Sequence, residues 1–218
     1  MRPDGTLRAV AGGDAQTALG AVVLTGGGAV RLGGIDKAAI EIGGRTLLER
    51  ALVALADVPE VVVVGDEVPT SRPVTFTRED PVGGGPAAGL LAGLRRFVRP
   101  PDRVLVLAVD MPFVSAATLR RLTDAASGDG AVLVDRDGQE QYLCAAYSRA
   151  ALHRAGHDGG GQGLSMRRLV AGLQLAHVAA VGPEARDLDT WEDLTALREI
   201  ADSADASRHE SQDRNGDC

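Results

Sequence analysis

Ala21-Val-Val-Leu-Thr-Gly-Gly-Gly-Ala-Val-Arg-Leu-Gly-Gly-Ile-Asp-Lys37 decides the fold. Its apolar start, Ala21 to Leu24, reads as a buried strand. The run breaks into Gly26-Gly27-Gly28, passes Arg31 and Gly33-Gly34, and closes on Asp36-Lys37. Glycines let backbone N–H groups approach an anion with no Cβ in the way. With Arg31 and Lys37 bracketing it, such a loop suits a polyphosphate. Lys37 is the only lysine among 23 basic residues. An ammonium is a compact point charge that sits among several phosphate oxygens at once, which a planar guanidinium fork does not do.

The common phosphate loops do not fit. A Walker A motif needs Lys and Ser/Thr directly after its last glycine, but Gly33 is followed by Gly34 and Lys37 by Ala38. The dinucleotide fingerprint started at Gly26 fails at Arg31. Leu24-Thr25-Gly26-Gly27…Arg31-Leu-Gly33-Gly34…Lys37 instead broadly resembles the signature L-A-G-G-x-x-x-R-M-G-x-x-K of Rossmann-like nucleotidyltransferases, with one more residue between Gly33 and the lysine. Among these the chain most resembles the molybdenum cofactor guanylyltransferases. Thr25 replaces the usual Ala, Ala29 a small hydroxyl residue, and Leu32 the Met.

A second match is Asp80-Pro-Val-Gly-Gly-Gly85-Pro-Ala-Ala-Gly89, similar to the family's D-x-x-x-x-G-P-L-A-G on the guanine side. Pro86 suits a first helical turn, where its missing N–H is not needed. Asp80 is open to two readings, a carboxylate that accepts from guanine N1–H and the 2-amino group, or a cap for the helix that follows. Gly83-x-Gly85-x-x-Ala88 also satisfies a loose dinucleotide pattern, but without the tight strand–turn–helix which that pattern needs.

The third match is Asp110-Met-Pro112, which follows the apolar run Val104–Val109 and is similar to the family's metal-binding D-x-P. Ligands gather outside the carboxyl ends of parallel strands, and a carboxylate there suits Mg²⁺. Ser115 is the better cap for the next helix. Late in the chain, Asp187-Leu-Asp189-Thr190-Trp191-Glu-Asp-Leu194 resembles [DN]-x-[DN]-T-x-x-[ED]-L, with Trp191 where Pro is frequent. Asp187 or Asp189 is expected to give the metal a second carboxylate; capping alone explains Thr190.

Other expectations are structural. Strands are expected at Val61–Val64 (opening into Gly65-Asp66, where the family contacts base or ribose), Val74–Thr77, Ala131–Val134 and Gln141–Tyr147. Ala38–Ile42 is expected to be extended. Helices are expected after Thr46, from Pro86 through Phe97, after Ser115, near Ser148, and around Met166 to Val170. A second glycine-rich loop, 156–163, lies beside Ser165, Arg167 and Arg168. It reads either as a seat for the acceptor's phosphate or as a connector. Cys144 reads as a buried small hydrophobe, and His153, His157 and His177 lack metal-ligand spacing.

With 218 residues, 44% hydrophobic, 3% aromatic and 28 glycines, the composition suits an α/β protein. The expected organisation is a mobile extension over 1–18, one nucleotidyltransferase domain over 19–201 and a disordered tail over 202–218. A net charge of −7 argues against nucleic acid or an anionic membrane as partner. Two distant cysteines and no long apolar run point to the cytoplasm.

The resemblance implies a three-layer α/β/α Rossmann-like fold with a mostly parallel sheet. It also implies GMP transfer from GTP, with Mg²⁺, to molybdopterin or molybdenum cofactor, with Arg31, Lys37 and Asp110 catalytic. Leu24, Thr25, Gly26, Gly27, Gly33, Gly34, Lys37, Gly65, Asp80, Gly85, Gly89 and Asp110 would bind the nucleotide, and a molybdenum-insertion protein or apo-molybdoenzymes would be protein partners. The alternatives are a CMP-transferring or sugar-1-phosphate relative, a regulatory module that binds nucleotide without turnover, and an NAD-dependent oxidoreductase.

Overall fold

The computed structural model describes residues 17–26, 37–156 and 161–201. Its central strand is β1 (Leu19–Leu24), in which Ala21, Val22 and Val23 are fully buried. A strand with no exposed face must have neighbours on both edges and layers on both sides. The neighbours are β4 (Glu60–Val64) and β6 (Arg103–Ala108), each parallel to β1 in unbroken register. β5 (Thr75–Thr77) extends the sheet beyond β4, and β8 (Glu140–Ser148) runs antiparallel beside β6, so the order is β5-β4-β1-β6-β8. β7 (Gly130–Val134) pairs in parallel with β9 (Leu175–Ala179). Asp135 N–H to Gln139 O and Ser148 N–H to Asp129 O close a hairpin between β7 and β8 at its two ends.

The two-residue period of the strands sorts the core into layers. Ala21, Val23, Val61, Val63, Leu105 and Leu107 face α1 (Leu47–Ala54), α3 (Ala116–Ala125) and α6 (191–201). Val22, Leu24, Val62, Val64, Val104 and Val106 face α2 (Pro86–Leu94), α4 (Arg149–Ala155) and the single turn α5 (Met166–Leu169). The result is a three-layer α/β/α Rossmann-like fold whose mixed sheet is mostly parallel.

Capping follows the sequence closely. Thr46 Oγ1 accepts from Glu49 N–H, and Ser115 and Thr118 bond reciprocally at the start of α3. Pro86 is in the first turn of α2, behind Gly85, which gives no side-chain cap.

Some expectations are corrected. Lys37–Ala39 is a turn of 3₁₀ helix, and only Glu41–Ile42 (β2) is extended, paired with β3 (Arg45–Thr46). α2 stops at Leu94, with Phe97 buried beyond it. The helix around Met166 is one turn long. β9 was not foreseen, because Leu-Ala-His-Val-Ala leaves alternate residues exposed and lacks a continuous apolar run. The expectations for 1–16, 27–36, 157–160 and 202–218 lie outside the described residues.

Candidate active site

The four parallel strands end in step. Thr25 N–H donates to Val64 O (3.1 Å), Gly65 N–H to Thr77 O (2.9 Å) and Val109 N–H to Leu24 O (3.0 Å). Thr25-Gly26, Gly65, Arg78 and Asp110 therefore share one edge of the sheet. β7 and β9 run in the same sense as β6, because β8 is antiparallel to β6 and to β7. The segment after β9 thus returns to that same edge, carrying Asp187 and Asp189 with it.

There Lys37 gathers partners from distant parts of the chain. Its Nζ donates to Asp110 Oδ2 (2.9 Å), Asp189 Oδ1 (3.0 Å) and the Leu188 carbonyl (2.6 Å), which occupies all three ammonium hydrogens. The Lys37 side chain is only 10% exposed, whereas Asp110 and Asp189 are 24% and 50% exposed. The ammonium thus forms the floor of the site and the carboxylates keep oxygen surface toward solvent. Leu188, fully buried, donates its N–H to the Asp110 carbonyl (2.9 Å) and locks the two strand-end segments together. Asp193 Oδ2 accepts from Asp189 N–H, Thr190 N–H and the Thr190 hydroxyl, and Thr190 Oγ1 accepts in return from Asp193 N–H.

Burial alone would lower the Lys37 pKa, but the charge and hydrogen bond of Asp110, then those of Asp189, outweigh it, and the pKa is raised. Asp187 is not bonded to Lys37. Protein packed around its carboxyl raises its pKa, and the charges of Asp189 and then Asp110 add to the rise. A third carboxyl thus lies close to the two that hold the ammonium. Among the described residues no three His, Cys, Asp or Glu side chains are spaced to enclose an ion by themselves. Mg²⁺ does not need such a cage, since it is commonly held by one or two carboxylates plus substrate phosphates. The donor set, hard oxygens with surplus negative charge, fits it.

Further along the edge, Leu24, Thr25, Gly65 and Gly89 meet. Thr25 Oγ1 donates to Val64 O (3.0 Å), and a methyl group on Gly65 would overlap that hydroxyl. Gly89 packs on Leu24 and Val64, where a methyl group would stand 3.3 Å from each. Gly65→Ala is expected to cost about 1–3 kcal/mol, and Thr25→Ala in the same chain to restore most of it. A denaturation double-mutant cycle measures the coupling.

The capping reading of Asp80 fails. Asp80 is exposed and makes no hydrogen bond or ion pair among the described residues, whereas Glu79 Oε1 accepts from Gly83 N–H (3.0 Å). The described end of the second glycine-rich loop, 161–163, also has a definite place. Gly163 N–H donates to Gly84 O (2.9 Å), which sets 161–164 against the Asp80–Gly89 segment. Asp66 pairs with Arg78. Gly26 is exposed, and a methyl group there would meet none of the described residues, while Gly27, Arg31, Gly33 and Gly34 lie outside the described residues.

One residue in this region was missed. Glu184, with a side chain 10% exposed, accepts from Thr118 Oγ1 (2.6 Å), from both terminal nitrogens of Arg121 (3.2 and 2.6 Å) and from Val181 N–H (2.8 Å). It fastens the segment that carries Asp187 and Asp189 to α3. Burial opposes its ionisation, but the Arg121, Thr118 and Val181 hydrogen bonds prevail and lower its pKa. A lowered carboxylate pKa gives stability that is complete above the ordinary value of 4.5 and is lost as pH falls through the folded-state pKa. Glu184→Gln is expected to cost about 2 kcal/mol at neutral pH, discounted for the partly exposed Arg121, and to flatten the acid limb below about pH 4.5. Urea melts between pH 3 and pH 7 measure both effects.

The MobA-like NTP transferase domain matches residues 21–179. An Opitutus terrae protein named "Probable molybdenum cofactor guanylyltransferase" is 38% identical over 163 residues, 72% of this chain and 80% of the relative. A nucleotidyl transferase from Methanothermobacter thermautotroptrophicus superposes with a TM-score of 0.69 at 26% identity, covering 86% of this chain and 99% of that one. A 2-C-methyl-D-erythritol 4-phosphate cytidylyltransferase from Thermus thermophilus shares the fold, with a TM-score of 0.58 at 22% identity, covering 83% and 98%.

Proposed function

From the premise that the chain belongs to the MobA-like NTP transferase family, we propose that this nucleotidyltransferase moves GMP from GTP to the phosphate of molybdopterin. The convergence of Lys37, Asp110 and Asp189 within 3.0 Å at the carboxyl edge of the sheet carries the reading. An oxygen of the acceptor's phosphate forms a new P–O bond at the α-phosphorus of GTP, the α–β bridge breaks, and pyrophosphate leaves. No protein nucleophile takes part, so the residues act by position and charge.

Lys37 would place a positive charge beside the phosphates, and its engagement by Asp110, Asp189 and the Leu188 carbonyl fixes that charge before substrate arrives. Arg31 and the glycines at 26, 27, 33 and 34 would cradle the polyphosphate. Leu24, Thr25, Gly65, Asp80, Gly85 and Gly89 would flank the nucleoside, with the exposed Asp80, unpaired among the described residues, placed to accept from guanine. Asp110, with Asp189 or Asp187, would hold Mg²⁺, which when bound supplies charge neutralisation and polarises the reacting phosphoryl oxygens. Asp189 is the stronger candidate as partner, because it already shares Lys37 with Asp110.

Molybdopterin, a molybdenum-insertion protein and apo-molybdoenzymes are the partners this reading proposes, in the cytoplasm. No helix among the described residues is long and apolar enough to cross a membrane. Cys144 fits the reading as a buried thiol, its pKa pushed up to about 12 by burial, with no part in catalysis.

Pyrophosphate release in the presence of molybdopterin and Mg²⁺, with GTP and CTP compared, tests the proposal. GTP is expected to be the better donor. Faster release with CTP would replace the guanine reading with the cytidylyl one, and no release with either would leave a binding module.

A further inference from the structure

The segment 161–164 is clamped to the start of α2. Besides the bond from Gly163 N–H to Gly84 O, Gly161 packs so closely on the helix that a methyl group there would stand 3.0 Å from Ala87 C and Ala88 N. Between these anchors the Gln162 carboxamide lies over Gly84. A methyl group on Gly84 would overlap Gln162 Oε1 and come within 2.8 Å of Ala88 Cβ. Gly84 is buried, while Gln162 is exposed and makes no hydrogen bond among the described residues. A polar side chain is thus laid on the turn that opens at Asp80, with its bonding capacity unspent among the described residues.

A carboxamide offers an acceptor and two donors in one plane, which complements the amide-like edge of guanine. A carboxylate only accepts whereas a carboxamide also donates, so Asp80 and Gln162 offer different chemistry at one turn. We infer that Gln162 is a specificity-determining residue of the donor site, with Oε1 accepting from the 2-amino group of guanine. This rests on the guanine reading above and deepens it, since it assigns to a residue outside the three sequence motifs part of the choice of base. A site built to bond a substrate group rejects an analogue that lacks that group, because its own polar atom is then left unpaired.

Inosine triphosphate, which differs from GTP only by lacking the 2-amino group, is the probe. Calorimetry in Mg²⁺ measures the affinities of GTP, ITP and CTP for the whole chain and its variants. The wild-type protein is expected to bind GTP about tenfold more tightly than ITP, as one neutral hydrogen bond allows. Q162A should reduce that ratio to about threefold or less, mainly by weakening GTP. Q162E, which keeps an acceptor at the same reach, should preserve it. Gly84→Ala, which displaces the side chain, should behave like Q162A.

An unchanged GTP/ITP ratio in Q162A, or equal weakening of both nucleotides, overturns this inference and leaves the guanine reading standing. Tighter binding of CTP than of GTP by the wild-type chain overturns the guanine reading and this inference with it. The exposed position of Gln162 lets its variants fold, which thermal melts verify.

Discussion

Lys37→Ala is expected to slow nucleotidyl transfer by about 10²-fold or more, with Mg²⁺ binding more tightly than in the parent chain. The two effects have one cause. The Lys37 ammonium holds Asp110 and Asp189 at 2.9 and 3.0 Å, and the Asp187 carboxyl lies close to both carboxylates. Removing the ammonium deletes the charge that would meet the phosphates and frees carboxylate oxygens for a competing cation. Lys37→Arg should not restore the rate, because a planar fork cannot direct three hydrogens to Asp110, Asp189 and the Leu188 carbonyl as a tetrahedral ammonium does. Single-turnover rates and Mg²⁺ titrations separate the effects; a Lys37→Ala chain that transferred at the parent rate would remove Lys37 from the mechanism.

Asp110→Asn is expected to lose at least as much turnover, on the order of 10²- to 10³-fold, but with the opposite effect on the metal. The amide keeps the shape and removes an anionic oxygen, so the Mg²⁺ concentration needed for half-maximal rate should rise. It also removes the main support of the Lys37 charge. Burial would then pull the lysine pKa down with only Asp189 left to oppose it. The contrast is diagnostic, with Mg²⁺ bound more tightly after Lys37→Ala and more weakly after Asp110→Asn. Equal losses with unchanged Mg²⁺ dependence in both would mean that the pair serves folding alone.

Much of this architecture was legible because burial leaves a plain mark on sequence. Ala21–Leu24, Val61–Val64 and Val104–Val109 are continuous apolar runs because they form strands covered on both faces. Asp110 stood out as a carboxylate at the end of one such run, and Lys37 as a residue type used once. Which of Asp187 and Asp189 bonds to Lys37 was not legible, since two residues of one type two positions apart differ only in which way the chain turns. Leu188 pinned on Asp110 turns Asp189 toward Lys37.

The Leu188 carbonyl leaves no trace in sequence, because every residue has one. Glu184 reads as an ordinary surface acid until Thr118 and Arg121, 66 and 63 residues away, are brought beside it. β9 was hidden by its place at the edge, where exposed alternate positions relax the need for apolar residues. Gln162 follows three glycines in a row, and only the folded chain, through the bond from Gly163 to Gly84 and the packing of Gly161 on α2, shows that 161–164 lies against the Asp80–Gly89 segment.

The most direct measurement is mass spectrometry of the acceptor after incubation of the whole chain with GTP, Mg²⁺ and molybdopterin. The expected product is molybdopterin carrying one GMP unit, with one pyrophosphate released for each adduct and both signals lost in the Lys37→Ala chain. Molybdopterin recovered unchanged from GTP but converted by CTP, or an adduct formed as fast by Lys37→Ala as by the parent, would contradict the account.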